Sequence, residues 1–151
     1  MKWASAICEG NNLNTALDQC CDVLQENLGS VSPSLVLVFV SAAYSTEFDQ
    51  VTTLLNLRFP DAVTIGCSAA GVIGSGLELE GRHAIAITAG HLPDVQIDKF
   101  RCAAVDLPTP DDPPESWVGL VGVPPEARPN FLVFMSPTFS PGEALLAGLD
   151  F

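Results

Sequence analysis

The run LVLVFV, residues 35–40, is apolar at every position and rich in β-branched side chains. A strand with one wet face would alternate polar and apolar residues; this one does not, so both of its faces need cover from other elements. Helical patterns flank it. Upstream, Leu13, Leu17, Cys20, Leu24 and Leu28 recur at spacings of three and four, which marks one helix stripe with Asn12 as N-cap and Gly29 just past the C-terminus. Downstream, Thr46 and Asp49 have the spacing of a capping box, Phe48, Val51 and Leu55 give a second helix its buried face, and Pro60 stops it. A covered strand between two amphipathic helices predicts an α/β fold.

The rest of the chain extends that prediction. AVTIGCS (62–68) reads as a second strand running into a glycine-rich turn, and HAIAITAG (83–90) as a third. VQIDKFRC (95–102) begins with alternation that Lys99 beside Phe100 breaks, which predicts an edge strand with a bulge. DLPTPDDPPE (106–115) reads as a solvated loop, leading to a short helix around Trp117 and Leu120. NFLVFMS (130–136) predicts a last strand and residues 141–148 a last helix. The order implies a mostly parallel sheet flanked by helices, with an antiparallel addition over residues 83–102.

LVFMSPTFS (132–140) repeats LVFVSAAYS (37–45) at five of nine positions. In each copy a strand-like run leads into a helix, so the repetition predicts a duplicated strand–turn–helix unit. The first copy continues into PDAVTIGCSAAG; the second reaches the final Phe151 with no equivalent. On that reading the chain is a single domain, incomplete at its C-terminal end and cut from a larger duplicated one.

Composition narrows the function. Eighteen acidic residues against six basic ones give a net charge of −12, which repels nucleic-acid phosphates and anionic membrane surfaces. No apolar run approaches the roughly 20 residues of a membrane span, and the five-residue apolar stretch before Cys8 is short for a signal peptide. Cys8, Cys20, Cys21, Cys67 and Cys102 contain no CxxC pair, and neither His83 nor His91 stands at ligand spacing, so zinc and other cofactors are not expected. Buried reduced thiols suit a reducing, cytoplasmic setting. A mean hydropathy of +0.33 signals apolar surface awaiting a partner, and self-association is expected of the isolated chain.

Ligands of open α/β sheets bind beyond the carboxyl ends of the strands. Three predicted strands end on serine, Ser41, Ser68 and Ser136, whose hydroxyls could line such a rim. The glycine-rich stretch IGCSAAGVIGSG (65–76) could present backbone N–H groups to an anionic oxygen. It matches no catalytic or nucleotide motif: Ala70 stands where a nucleophile elbow needs glycine, Leu79 where a dinucleotide fingerprint does, and there is no Walker lysine. A thiolate at Cys67, activated by His83 or His91, is one enzymatic reading; a tight packing turn is the plain alternative.

These residues carry a family resemblance. MKWASAI, LVFVS, IGCSAAGVIG, TAGHLP and LLAGLDF resemble the N-terminal part of FIST proteins, named for F-box and intracellular signal transduction, over almost the whole chain. The resemblance implies a sensory domain for small ligands such as amino acids, followed by a FIST C-terminal domain and coupled to signalling partners, and it brings no catalytic residues. Gly66, Cys67, Ser68, Gly71 and Gly74 match the family pattern; with Ser41 and Ser136 they form the expected ligand-binding set. The expected function is small-ligand sensing without catalysis. The alternatives are a module that docks a FIST C-terminal domain or another chain, and a Cys67-dependent enzyme.

Overall fold

The computed structural model describes residues 1–109 and 111–150, in two compact units, Met1–Ile97 and Asp98–Phe151. The first unit runs β1 (Lys2–Glu9), α1 (Leu13–Leu28), β2 (Leu35–Ser41), α2 (Phe48–Arg58), β3 (Val63–Ala69), β4 (Gly71–Gly74), β5 (Leu77–Glu80) and β6 (Ala84–His91). Four of the strands form one sheet in the order β1-β6-β2-β3, and β4 and β5 pair as a separate hairpin.

The sheet is mixed, which corrects the mostly parallel expectation. Only β2 and β3 pair in parallel, with Val38 opposite Gly66; β6 is antiparallel to both β1 and β2. The reason lies in the connection. A parallel neighbour requires a crossover that carries the chain back to its starting end, and between Ala69 and Ala84 there is only the β4–β5 hairpin. Strand β6 therefore starts where β3 finishes and runs the other way. Strands β1, β2 and β3 still share one direction, so their carboxyl ends lie along one rim.

Helices α1 and α2 bury the same face of this sheet. Every predicted stripe residue of α1 is buried, joined by Ala16 and Cys21, and these pack with Val36, Val38 and Val40 of β2 and with Ile85, Ile87 and Ala89 of β6. Each fully buried leucine contributes about 2 kcal/mol through burial. The Asn12 side chain accepts the Thr15 N–H at 2.9 Å, and Gly29 leaves the helix at φ +68°. At the same end Lys2 Nζ donates to the Leu28 carbonyl at 2.8 Å, a cation on the negative end of the helix dipole. Arg58, in the last turn of α2, donates to Asp18 at 3.1 Å, to Asp22, and to Gln25 at 2.9 Å, and so ties α2 to α1.

Three local expectations change. Helix α2 begins at Phe48 with Glu47 at the cap position and no side-chain cap, so the Thr46–Asp49 box does not form. A single 3-10 turn, Ala42–Tyr44, occupies the approach instead, and the Glu47 N–H bonds the Tyr44 carbonyl. Residues 95–102 form no strand, because Asp98, Lys99 and Arg101 interrupt the apolar pattern before a ladder can form. Residues 130–136 form none either, although their composition is that of a buried strand: neither sheet includes them, and β-propensity without a partner ladder does not make a strand. The structure therefore does not support the duplicated unit.

In the second unit α3 (Pro114–Val121) opens with proline in its first turn and closes at Gly122 with φ +77°. Helix α4 (Gly142–Leu149) lays Gly148 against Trp117, where an added Cβ would come within 2.0 Å of the indole ring. Both helices match expectation; Pro110 of the acidic loop and Phe151 lie outside the described residues. No helix among the described residues is long and apolar enough to cross a membrane.

Candidate functional site

At the carboxyl ends of β1 and β2 a small set of side chains and backbone groups is held together by hydrogen bonds. Ser41 ends β2 with only 1% exposure, and its Oγ accepts the Ala84 N–H at 3.2 Å where β6 begins. Three residues on, the fully buried Tyr44 donates its hydroxyl to the carbonyl of Gly10, just past β1. The Gly10 N–H in turn donates to the His83 carbonyl at 3.0 Å, and the His83 ring stands edge-on to Tyr44 with centroids 5.0 Å apart. Beside them Arg82 donates to both carboxylate oxygens of Glu9, at 3.0 and 3.3 Å. Burial, and then the nearby Glu47 carboxylate, push the Tyr44 phenol above its ordinary pKa, so it remains a neutral donor. The rim thus joins the ends of three strand segments through Tyr44, and the residues after β1 and β2 lead directly into α1 and α2.

The expected ligand-binding residues fall in three places. Ser41 sits on this rim. Gly66, Cys67 and Ser68 lie within β3 and are exposed. In the parallel register Ser41 is level with Ala69 and Val40 with Ser68, so the side chains of Ser41 and Ser68 point to opposite faces of the sheet. Gly71 and Gly74 belong to β4. Ser136 lies in the second unit, outside any strand, with its hydroxyl 2.9 Å from that of Thr138.

None of the three family-pattern glycines takes a positive φ; Ser75 and Gly76 do at the β4–β5 turn, and Gly81 does between β5 and β6. Close approach explains the others. A Cβ on Gly66 would lie 1.8 Å from the Val38 carbonyl oxygen, one on Gly71 would lie 2.8 Å from the Glu80 side chain, and one on Gly74 would lie 3.3 Å from Ile7. The histidines have other partners than Cys67. His83 meets Tyr44, while His91, at the far end of β6, places Nδ1 2.8 Å from the Ser32 carbonyl. All five cysteines are free, and no group of three or more metal-ligating side chains occurs among the described residues.

Sequence reasoning passed over Tyr44, Gly10 and the His83–Tyr44 contact. Tyr44 was visible only as the partner of Phe139 in the repeat; 34 residues separate it from Gly10, and only the fold brings them together.

In the second unit an apolar groove of about 620 Å³ is lined by Phe131, Val133, Leu146, Ala147, Leu149 and Asp150. Phe131 and Leu146 of this lining are exposed, as are Leu132 and Met135 elsewhere in the unit.

No curated protein and no solved structure is matched by this chain. The family model of the FIST N domain matches residues 34–151, which is most of the chain and takes in β2, β3 and the glycine-bearing stretch that follows. The chain therefore belongs to the FIST N domain family.

Proposed function

We propose that this protein is a sensory module that binds a small polar metabolite at the carboxyl-end rim and carries out no chemistry on it. Membership of a signal-transduction-associated family supports the sensory role. The observation that carries the location is the convergence of Ser41, Tyr44 and Gly10 at the carboxyl ends of β1 and β2 with His83 at the start of β6. Polar groups already held in fixed positions there would accept a ligand at little ordering cost. Residues 66–71 border this rim along β3 and the start of β4, so Gly66, Cys67, Ser68 and Gly71 would flank the ligand. Gly74 would act by holding the hairpin against Ile7.

Thermal-shift measurements of the chain against a panel of amino acids and small organic anions test the reading. A true ligand at a hundredfold its Kd stabilises by about 2.7 kcal/mol, a shift of several degrees in Tm. Tyr44→Phe should shrink that ligand-induced shift. A panel without any stabilising member counts against the proposal.

The second unit's exposed apolar groove favours a second role, docking of a FIST C-terminal domain or another signalling chain.

A further inference from the structure

We propose that Cys8 and Cys20 form a reversible disulfide, making the end of β1 a redox-sensitive latch beside the rim. Ala4 and Ala6 bury their small side chains against α1, which lets the helix approach β1 closely; Cys8, next in the alternation, packs against the same cluster. Cys20 faces it from α1, fully buried. Its Sγ lies 3.7 Å from the carbonyl of Ile85, and Ile85 is the residue paired with Cys8 across the β1–β6 ladder. The two cysteines therefore share one patch of the β1–α1 interface, and the Cys8 thiol is, after burial, among the influences that raise the Cys20 pKa. Cys21 diverges around the helix by about 100°, and after burial its largest influences are Arg58, Asp18 and Asp22, with Cys8 behind them.

A hydroperoxide is the oxidant class that fits. The half-buried Cys8 sulfur attacks the peroxide oxygen, releasing an alcohol, or water from hydrogen peroxide, and becomes a sulfenic acid. The Cys20 sulfur then displaces hydroxide from Cys8. The S–S bond forms, and the departing hydroxide leaves as water with the Cys20 proton. Two thiols and one hydroperoxide thus give one disulfide, one alcohol and one water. Bridging the two sulfurs at about 2.05 Å would draw the end of β1 toward α1. Cys8 is followed by Glu9 and Gly10, the partners of Arg82, Tyr44 and His83, so the bond would shift the rim itself.

The test needs no ligand. The reduced chain is treated with tert-butyl hydroperoxide under native conditions, quenched in acid, alkylated and mapped by mass spectrometry, and its amide exchange is followed in parallel. The expected result is loss of two hydrogens, a linked peptide pair joining Cys8 to Cys20, recovery with dithiothreitol, and altered exchange over residues 9–12. A Cys21→Ala/Cys67→Ala/Cys102→Ala chain should behave the same way, and the wild-type map decides if that chain does not fold. Irreversible oxidation of Cys8 without a bridge, a bridge to another cysteine, a bridge formed only in denaturant, or unchanged exchange over residues 9–12 would each overturn the latch.

Discussion

Raising the pH from about 8 to about 11 should cost the protein on the order of 5 kcal/mol of stability, because two buried thiols refuse to ionise. An unfolded cysteine releases its proton near the ordinary value of 9.0, while in the native state burial pushes Cys21 up to about 12. Burial and the Cys8 contact push Cys20 up as well. Both folded-state values are raised, so the stabilisation is complete below about pH 9 and is lost as pH climbs toward the folded values. Each thiol then costs about 1.4 kcal/mol per pH unit, and two thiols over two units give the figure above. The Tyr44 phenol, also shifted upward, adds to the loss above its ordinary value of 10.0. Urea titrations in excess reductant would show the decline, and a Cys20→Ala/Cys21→Ala chain should show a much shallower one. Stability that stays level to pH 11 would mean that these thiols reach water.

Gly66→Ala should destabilise the first unit by roughly 3 to 4 kcal/mol, more than most single substitutions. The added methyl, fixed in place by the Gly66 backbone, would sit 1.8 Å from the Val38 carbonyl oxygen, a backbone atom of the paired strand in the β2–β3 ladder. No rotamer change relieves such a clash; the strands must separate, which undoes the parallel pair. Urea unfolding reads the loss directly. The result also bears on the meaning of the family's glycines, since a mild effect would leave Gly66 free to serve a ligand alone. Gly76→Ala offers a contrast: nothing lies within 4 Å of its Cβ position, and the cost there is backbone strain at φ +79°.

Helix α1 was legible in full because its stripe, its Asn12 cap and its Gly29 exit agree with one another, and agreement between levels is what specifies structure. Strands β2, β3 and β6 were legible as apolar runs. Strand β1 was not, because its buried positions are Ala4 and Ala6, small residues of weak β-propensity, and they suit the close approach of α1. The antiparallel direction of β6 was anticipated, but its place inside the sheet between β1 and β2 was not, because the strand that covers its outer edge, β1, was itself not legible. Residues 130–136 mark the opposite error, in which composition alone announced a strand that has no ladder to join.

The site divides in the same way. Ser41 could be picked out as a serine closing a covered strand, whereas Tyr44 acquires its meaning only from Gly10 and His83, residues far off in sequence that the sheet order delivers to it. The glycines were visible as a cluster. Their reason was not, since close contact with Val38, Glu80 and Ile7 depends on register and on the hairpin's placement.

Hydrogen–deuterium exchange of the chain, with and without a metabolite that raises its Tm, tests the sensory rim most directly. Slowed exchange over residues 8–12, 41–47 and 66–71, with residues 98–150 unchanged, is the predicted result. Protection confined to the second unit, or none near Tyr44 and Ser41, would contradict it.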